Sequence, residues 1–137
     1  MTAIIETLLS VGKTLFGLRG ELAKARKDRK KDVADFIDAI AKTIDDTIGA
    51  LRSNQYPGGK CAELFAHSKQ MEAAIGDLIG QLKAQELAAQ LQEIWEIEQL
   101  FGELQSVTPP ERSRKLSVLD DAAGQFRATA AFVRVSP

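Results

Sequence analysis

Cysteine occurs once in the 137 residues, at Cys61, and histidine once, at His67. A lone thiol excludes a disulfide within the chain and a four-thiolate metal site, and it fits a reducing compartment. Aromatic residues make up only 6%, and Ala and Leu dominate the apolar set. That balance favours helices, because strands lean on Val, Ile, Thr and aromatic rings. No uninterrupted apolar run reaches the roughly 18 residues of an ordinary transmembrane span. Glu6 interrupts the first apolar stretch and no positive cluster precedes it, so no secretory signal is expected. Charge of one sign is also lacking. With 18 Lys and Arg against 19 Asp and Glu the formal charge is -1, which gives no global field towards nucleic acid or anionic lipid. Any such binding has to come from a local patch.

Apolar periodicity is what the chain does have. Ile4, Leu8, Val11, Leu15, Leu18, Leu22 and Ala25 recur at steps of four and three, the signature of a helix stripe, and Ile5, Leu9 and Phe16 widen it. The stripe resumes in phase at Val33, Phe36, Ile37, Ile40, Ile44, Ile48 and Leu51. One helix across residues 2–54 would be roughly 80 Å long, too long for a compact domain of this size. A bend is therefore expected at residues 17–20, with the basic stretch after it forming the first turns of a long second helix. Asn54-Gln55-Tyr56-Pro57-Gly58-Gly59 breaks the pattern firmly.

A third helix carries Cys61, Leu64, Phe65, Ser68, Met71, Ile75, Leu78 and Ile79 on one face, with Gly80 as its stop. A fourth is expected over residues 83–105 with Leu87, Leu91, Ile94, Trp95, Phe101 and Leu104 inward. Thr108-Pro109-Pro110-Glu111 reads as a capping box and a helix start. The last helix places Leu116, Leu119, Ala123, Phe126, Ala130 and Val133 inward. The expectation is an all-α chain over residues 1–137: one domain, a four- to five-helix bundle, mostly antiparallel.

Signs of chemistry are sparse. Gly12-Lys13-Thr14 resembles the end of a phosphate-binding loop. Thr7 stands where that motif needs a glycine, and the triplet falls inside a helix whose N–H groups are already bonded. Glu63 and His67 lie one helical turn apart, with no second imidazole to complete a metal site, so a solvated or locally paired histidine is expected. Cys61 at a helix start has no partner to activate it. The acidic stretch with Glu93, Glu96, Glu98 and Glu103 reads as a solvated face. No catalytic residue, metal or cofactor is expected, and the chain is read as a non-enzyme.

Two features remain. Lys24, Arg26, Lys27, Arg29, Lys30 and Lys31 form a basic cluster. It is either a solvated face or a surface for anionic headgroups, where each basic residue contributes about 1 kcal/mol, or for the acidic helix of a neighbouring copy. Nucleic acid is not expected, since no aromatics interleave with the charges. The first helix carries Gly12, Gly17 and Gly20, and small residues let helices approach closely. It is either a central core helix or one that packs in the resting state and is released into a membrane on assembly.

The order of these elements, with an apolar glycine-bearing first helix followed by "ELAKARKDRKKDVADFIDAIAKTIDDTIGAL" and further amphipathic helices, resembles the HeLo-like bundles of cell-death executioners. That superfamily takes in fungal HeLo domains, the bundle of the mixed-lineage kinase-like pseudokinase, plant resistance helper bundles and bacterial Bell domains. "PGGKCAELFAHSKQMEAAIGDLIG" is similar to a segment in N-terminal helical domains of bacterial conflict-system proteins. The resemblance implies a non-enzymatic effector of programmed cell death or antiphage defence. It would be cytoplasmic, recruited to the inner face of the plasma membrane, and would oligomerise with itself downstream of a sensor or signalling protein. Ile4, Leu8, Val11, Gly12, Leu15 and Phe16 would then form its membrane- or partner-binding helix beside the basic cluster. The alternative is a soluble adaptor bundle that docks another protein.

Overall fold

The computed structural model describes residues 3–93 and 97–137, without the side chains of Ala3, Cys61 and Glu93. The chain is all-helical, 84% helix, with no strand among the described residues. Five long helices form the body: α1 (Ala3–Gly17), α3 (Lys30–Arg52), α4 (Lys60–Ile79), α5 (Gln81–Glu93) and α7 (Pro109–Val135). Two short pieces join them, α2 (Arg19–Leu22) and α6 (Leu100–Gln105), the second entered through a 3₁₀ turn at Ile97–Gln99.

The helix boundaries follow local chemistry. Asn54 ends α3 in the left-handed region at φ 56°, a conformation asparagine tolerates because its side chain bonds locally. Gly59 (φ +84°) precedes α4 and Gly80 (φ +94°) separates α4 from α5. Thr108 caps α7: its hydroxyl accepts from the Glu111 N–H at 3.3 Å, and Pro109 takes the first helical position. The reciprocal half of the expected capping box is not made. The Glu111 carboxylate is held instead by Arg114 at 2.5 Å and Lys115 at 3.4 Å.

The helix α7 is the central member. Leu116, Leu119, Ala122, Ala123, Phe126, Ala130 and Val133 are all buried, as the apolar spacing predicts. The helices α3 and α1 flank it. The α3–α7 pair is antiparallel and cross-braced by ion pairs. Arg52 reaches Asp120 at 2.5 Å, Arg127 reaches Asp45 at 2.6 Å, and Arg134 reaches Asp35 at 2.7 Å as well as Asp38. The Arg112 guanidinium also donates to the Leu51 carbonyl. The α4–α3 pair is antiparallel too, with Arg29 on Asp77 at one end and Lys60 near Asp46 at the other. By contrast α1 runs parallel to α7: Ile5 sits beside Val118, Gly12 faces Gln125, and Arg19 reaches Phe132.

Two expectations about helix extent are corrected. Residues 24–29 are not the first turns of α3 but a series of tight turns, closed by Ala25 N–H to Leu22 and Arg29 N–H to Arg26. Like charges three and four apart oppose a helix there, as does a crowd of cations at the positive end of the α3 dipole. Arg26 instead pairs with Asp28 at 3.0 Å, a spacing a helix holds apart. The expected helix over 83–105 is likewise not one described element: α5 ends at Glu93, and a 3₁₀ turn and α6 follow. Ile94 and Trp95, expected inward, lie outside the described residues.

Candidate functional site

The first helix owes its place to four side chains on one stripe. Ile5, Leu8, Val11 and Leu15 are buried, the last three completely; Ile4 and Leu9 are half-buried and pack at the edge of the same core. Gly12 is the point of closest approach. A Cβ there would stand 3.0 Å from Gln125 Cβ and 3.2 Å from both the Ala122 carbonyl oxygen and Phe126 Cε2. Gly17 and Gly20 have nothing within 4 Å of the corresponding position, so only Gly12 serves close packing. Gly12-Lys13-Thr14 is helical throughout.

Among the described residues, no side-chain hydrogen bond or ion pair joins α1 to α3, α4, α5 or α7, although α3 is tied to α7 and α4 by several. The nearest polar tie comes from α2, two residues past the end of α1. The Arg19 guanidinium donates to the Phe16 carbonyl at 2.8 Å and lies 4.2 Å from the Phe16 ring centre and 5.4 Å from that of Phe132. Near the start of α1, Ile5 and Glu6 share a small cavity of about 70 Å³ with Arg114, Lys115 and Val118. Lys115 there is only 4% exposed.

The basic cluster is not one surface. Arg29 grips Asp77 through two bonds, 2.5 and 3.2 Å, and the Ala74 carbonyl at 2.9 Å. That guanidinium holds the Asp77 carboxyl below the usual carboxylate range. Lys30 Nζ donates to the Ser136 and Pro137 carbonyls at 3.0 and 2.7 Å and so closes the end of α7. Lys31 is paired with Asp35 at 2.8 Å, and Arg26 with Asp28. Lys24 and Lys27 are left exposed with no charged partner among the described residues. Together with Lys30 they line an open cleft of about 610 Å³ between the 23–27 turn and the end of α7.

The Glu63–His67 pair read from the sequence meets a third polar group, Thr43, between α3 and α4. The buried Thr43 hydroxyl is 3.0 Å from His67 Nε2, 3.3 Å from Glu63 Oε1 and 3.1 Å from its own helix's Ala39 carbonyl. Burial pushes the His67 imidazole down, and the nearby Glu63 charge opposes that. Among the described residues no group of three His, Cys, Asp or Glu could hold a metal ion, and no helix is long and apolar enough to cross a membrane.

The α3–α7 brace was missed although its signal is in the sequence. Asp38, Asp45 and Arg52 recur every seven residues on one helix, and Asp120, Arg127 and Arg134 do so on the other. Read in opposite directions, the two series pair opposite charges, the interhelical pattern of a heptad seam.

Compared with family models, curated proteins and solved structures, the chain matches none.

Proposed function

We propose that this chain is a non-enzymatic helical-bundle effector domain, of the cell-death or antiphage kind, that self-assembles and engages anionic membranes through α1 and the turns that follow it. The observation that carries this reading is the way α1 is held. The most apolar of the described helices is held on α7 by apolar burial without an ion pair among the described residues, its nearest polar tie being Arg19 against Phe16 and Phe132. It lies next to two lysines with no charged partner among those residues. Burying Ile5, Leu8, Val11 and Leu15 is worth about 1.5–3 kcal/mol each, so roughly 6–12 kcal/mol together as an upper figure. That rivals the whole stability of a domain, about 5–15 kcal/mol. In water, then, α1 stays docked. A bilayer interface replaces the lost burial, and no ion pair has to be broken first.

Fifteen residues span only about 22 Å, short of the roughly 30 Å hydrocarbon core. With Glu6 and Lys13 on its outer side, the helix would lie in the interface plane and not cross it. Lys24 and Lys27 would meet lipid phosphates at about 1 kcal/mol each.

Vesicle co-sedimentation and dye leakage test this. Binding to anionic vesicles should exceed binding to neutral ones and weaken with salt. Lys24→Glu with Lys27→Glu should abolish it while leaving helicity and melting temperature unchanged. Reversing Arg29 or Lys30 is not a clean test, because both hold the fold together. If assembled protein ignores vesicles of every composition, the membrane reading gives way to a protein-docking adaptor.

A further inference from the structure

We propose that α1 is an exchangeable element: copies of this chain assemble when α1 of one copy takes the place of α1 on α7 of another. The proposal rests on the assembly step of the function above and supplies its geometry for copies in solution, where the apolar face of α1 seats on protein. At a bilayer the same face leaves α7 and seats in lipid instead. The receiving surface on α7 is shaped for α1. At the Gly12 position a side chain fits against Gln125, Ala122 and Phe126 only if these give by a few tenths of an ångström, and the Arg19 guanidinium sits over Phe132 two residues beyond the end of α1. A second copy of α1 carries that same pattern, so it is the occupant this surface accepts.

The rest of the bundle is built to survive the exchange. The Arg52–Asp120, Arg127–Asp45 and Arg134–Asp35 pairs fix α7 on α3, and Arg29–Asp77 fixes α4 on α3. None of them involves α1. The connection, residues 23–29, is closed by short-range turn bonds from Lys24 to Glu21, Ala25 to Leu22 and Arg29 to Arg26. Opened out, seven residues reach about 23–25 Å. Repulsion among Lys24, Arg26 and Lys27 favours that extended form. Exchange then recreates every α1 contact in a new partner, so concentration and the state of the connection decide between closed monomer and swapped assembly. In the assembly these basic residues lie along a tether between two bundles.

Two chains, each with Cys61→Ser, test it: one carries Gly12→Cys and the other Gln125→Cys. The 3.0 Å separation at this site is a few tenths short of the about 3.5–4.5 Å between disulfide β-carbons, an adjustment the two helices can make. The mixture is concentrated, warmed into the foot of its melting transition, cooled and oxidised. Exchange predicts a covalent heterodimer bridged between the two positions, released by reductant. An assembly lacking that bond, or a mixture that stays monomeric, overturns the proposal.

A second variant spares the tight Gly12 site. A benzophenone amino acid at the exposed Phe132, in isotope-labelled chain mixed with unlabelled chain, should photocrosslink between chains to the segment around Phe16 and Arg19. Crosslinks confined to one chain in the assembled fraction count against exchange. Vesicle binding by an assembly without the cross-chain bond would remove exchange and keep the membrane reading. A bridged heterodimer that ignores vesicles would do the reverse.

Discussion

A methyl group added at Gly12 meets backbone and ring atoms at 3.2 Å, whereas one added at Gly20 meets nothing. The two glycines should therefore respond oppositely. Gly12→Val overpacks the α1–α7 contact and should cost about 1–3 kcal/mol. Gly20→Ala removes backbone freedom from the unfolded chain and should gain about 0.4–1 kcal/mol. Denaturant midpoints of the two variants check this. His67 gives a second expectation. Its folded pKa lies below the ordinary value of about 6.5, chiefly through burial, so folding favours the neutral ring. The stability this contributes is complete above about pH 6.5 and declines as pH falls below it towards the folded pKa. His67→Gln should flatten the melting-temperature profile as pH falls below about 6.5. A separate loss below about pH 4 should remain, because Asp77 and Asp35 are held low by Arg29 and by Lys31 with Arg134. That glycine in α1 serves close packing is legible in the sequence. Which glycine does so is not, because the answer lies in Gln125 and Phe126, more than a hundred positions away.

Between helices, apolar burial and ion pairs divide the work unevenly. Leu15→Ala should cost about 2–5 kcal/mol, the range for emptying a buried leucine site. Arg127→Ala, which breaks a half-exposed pair, should cost no more than about 1 kcal/mol. Native-state hydrogen exchange should find α1 opening as a unit before α3 and α7, which share the polar brace; equal protection across all three would contradict this. The long helices were legible because their stripes are long and strongly periodic. The turns at residues 24–29 were not, because the stripe resumes in phase after them. Periodicity registers where apolar residues fall, but here repulsion among cations set the backbone. The matched seven-residue charge series on α3 and α7 was legible in principle. It requires reading two helices against each other, and no single helix reveals it.

Seen whole, the bundle carries its basic cluster at one pole, where α1 ends, α3 begins and α7 closes on Lys30. Sequence reading located that cluster, but it could not tell bound cations from unbound ones. Arg29 and Lys31 find their acids across a helix pair and one turn along, which leaves Lys24 and Lys27 as the available pair. The parallel course of α1 and α7 puts Lys115 at the other pole, beside Ile5 and Glu6. This gives the chain an internal clock. An amine only 4% exposed reacts with an acylating ester only as fast as its cover opens, while Lys24 and Lys27 react at once. The modification rate of Lys115, followed by peptide mass, thus times the departure of α1. It should be slow in dilute buffer and accelerate sharply on anionic vesicles if the helix leaves its seat, and an unchanged rate on bound vesicles would mean that the helix never moved.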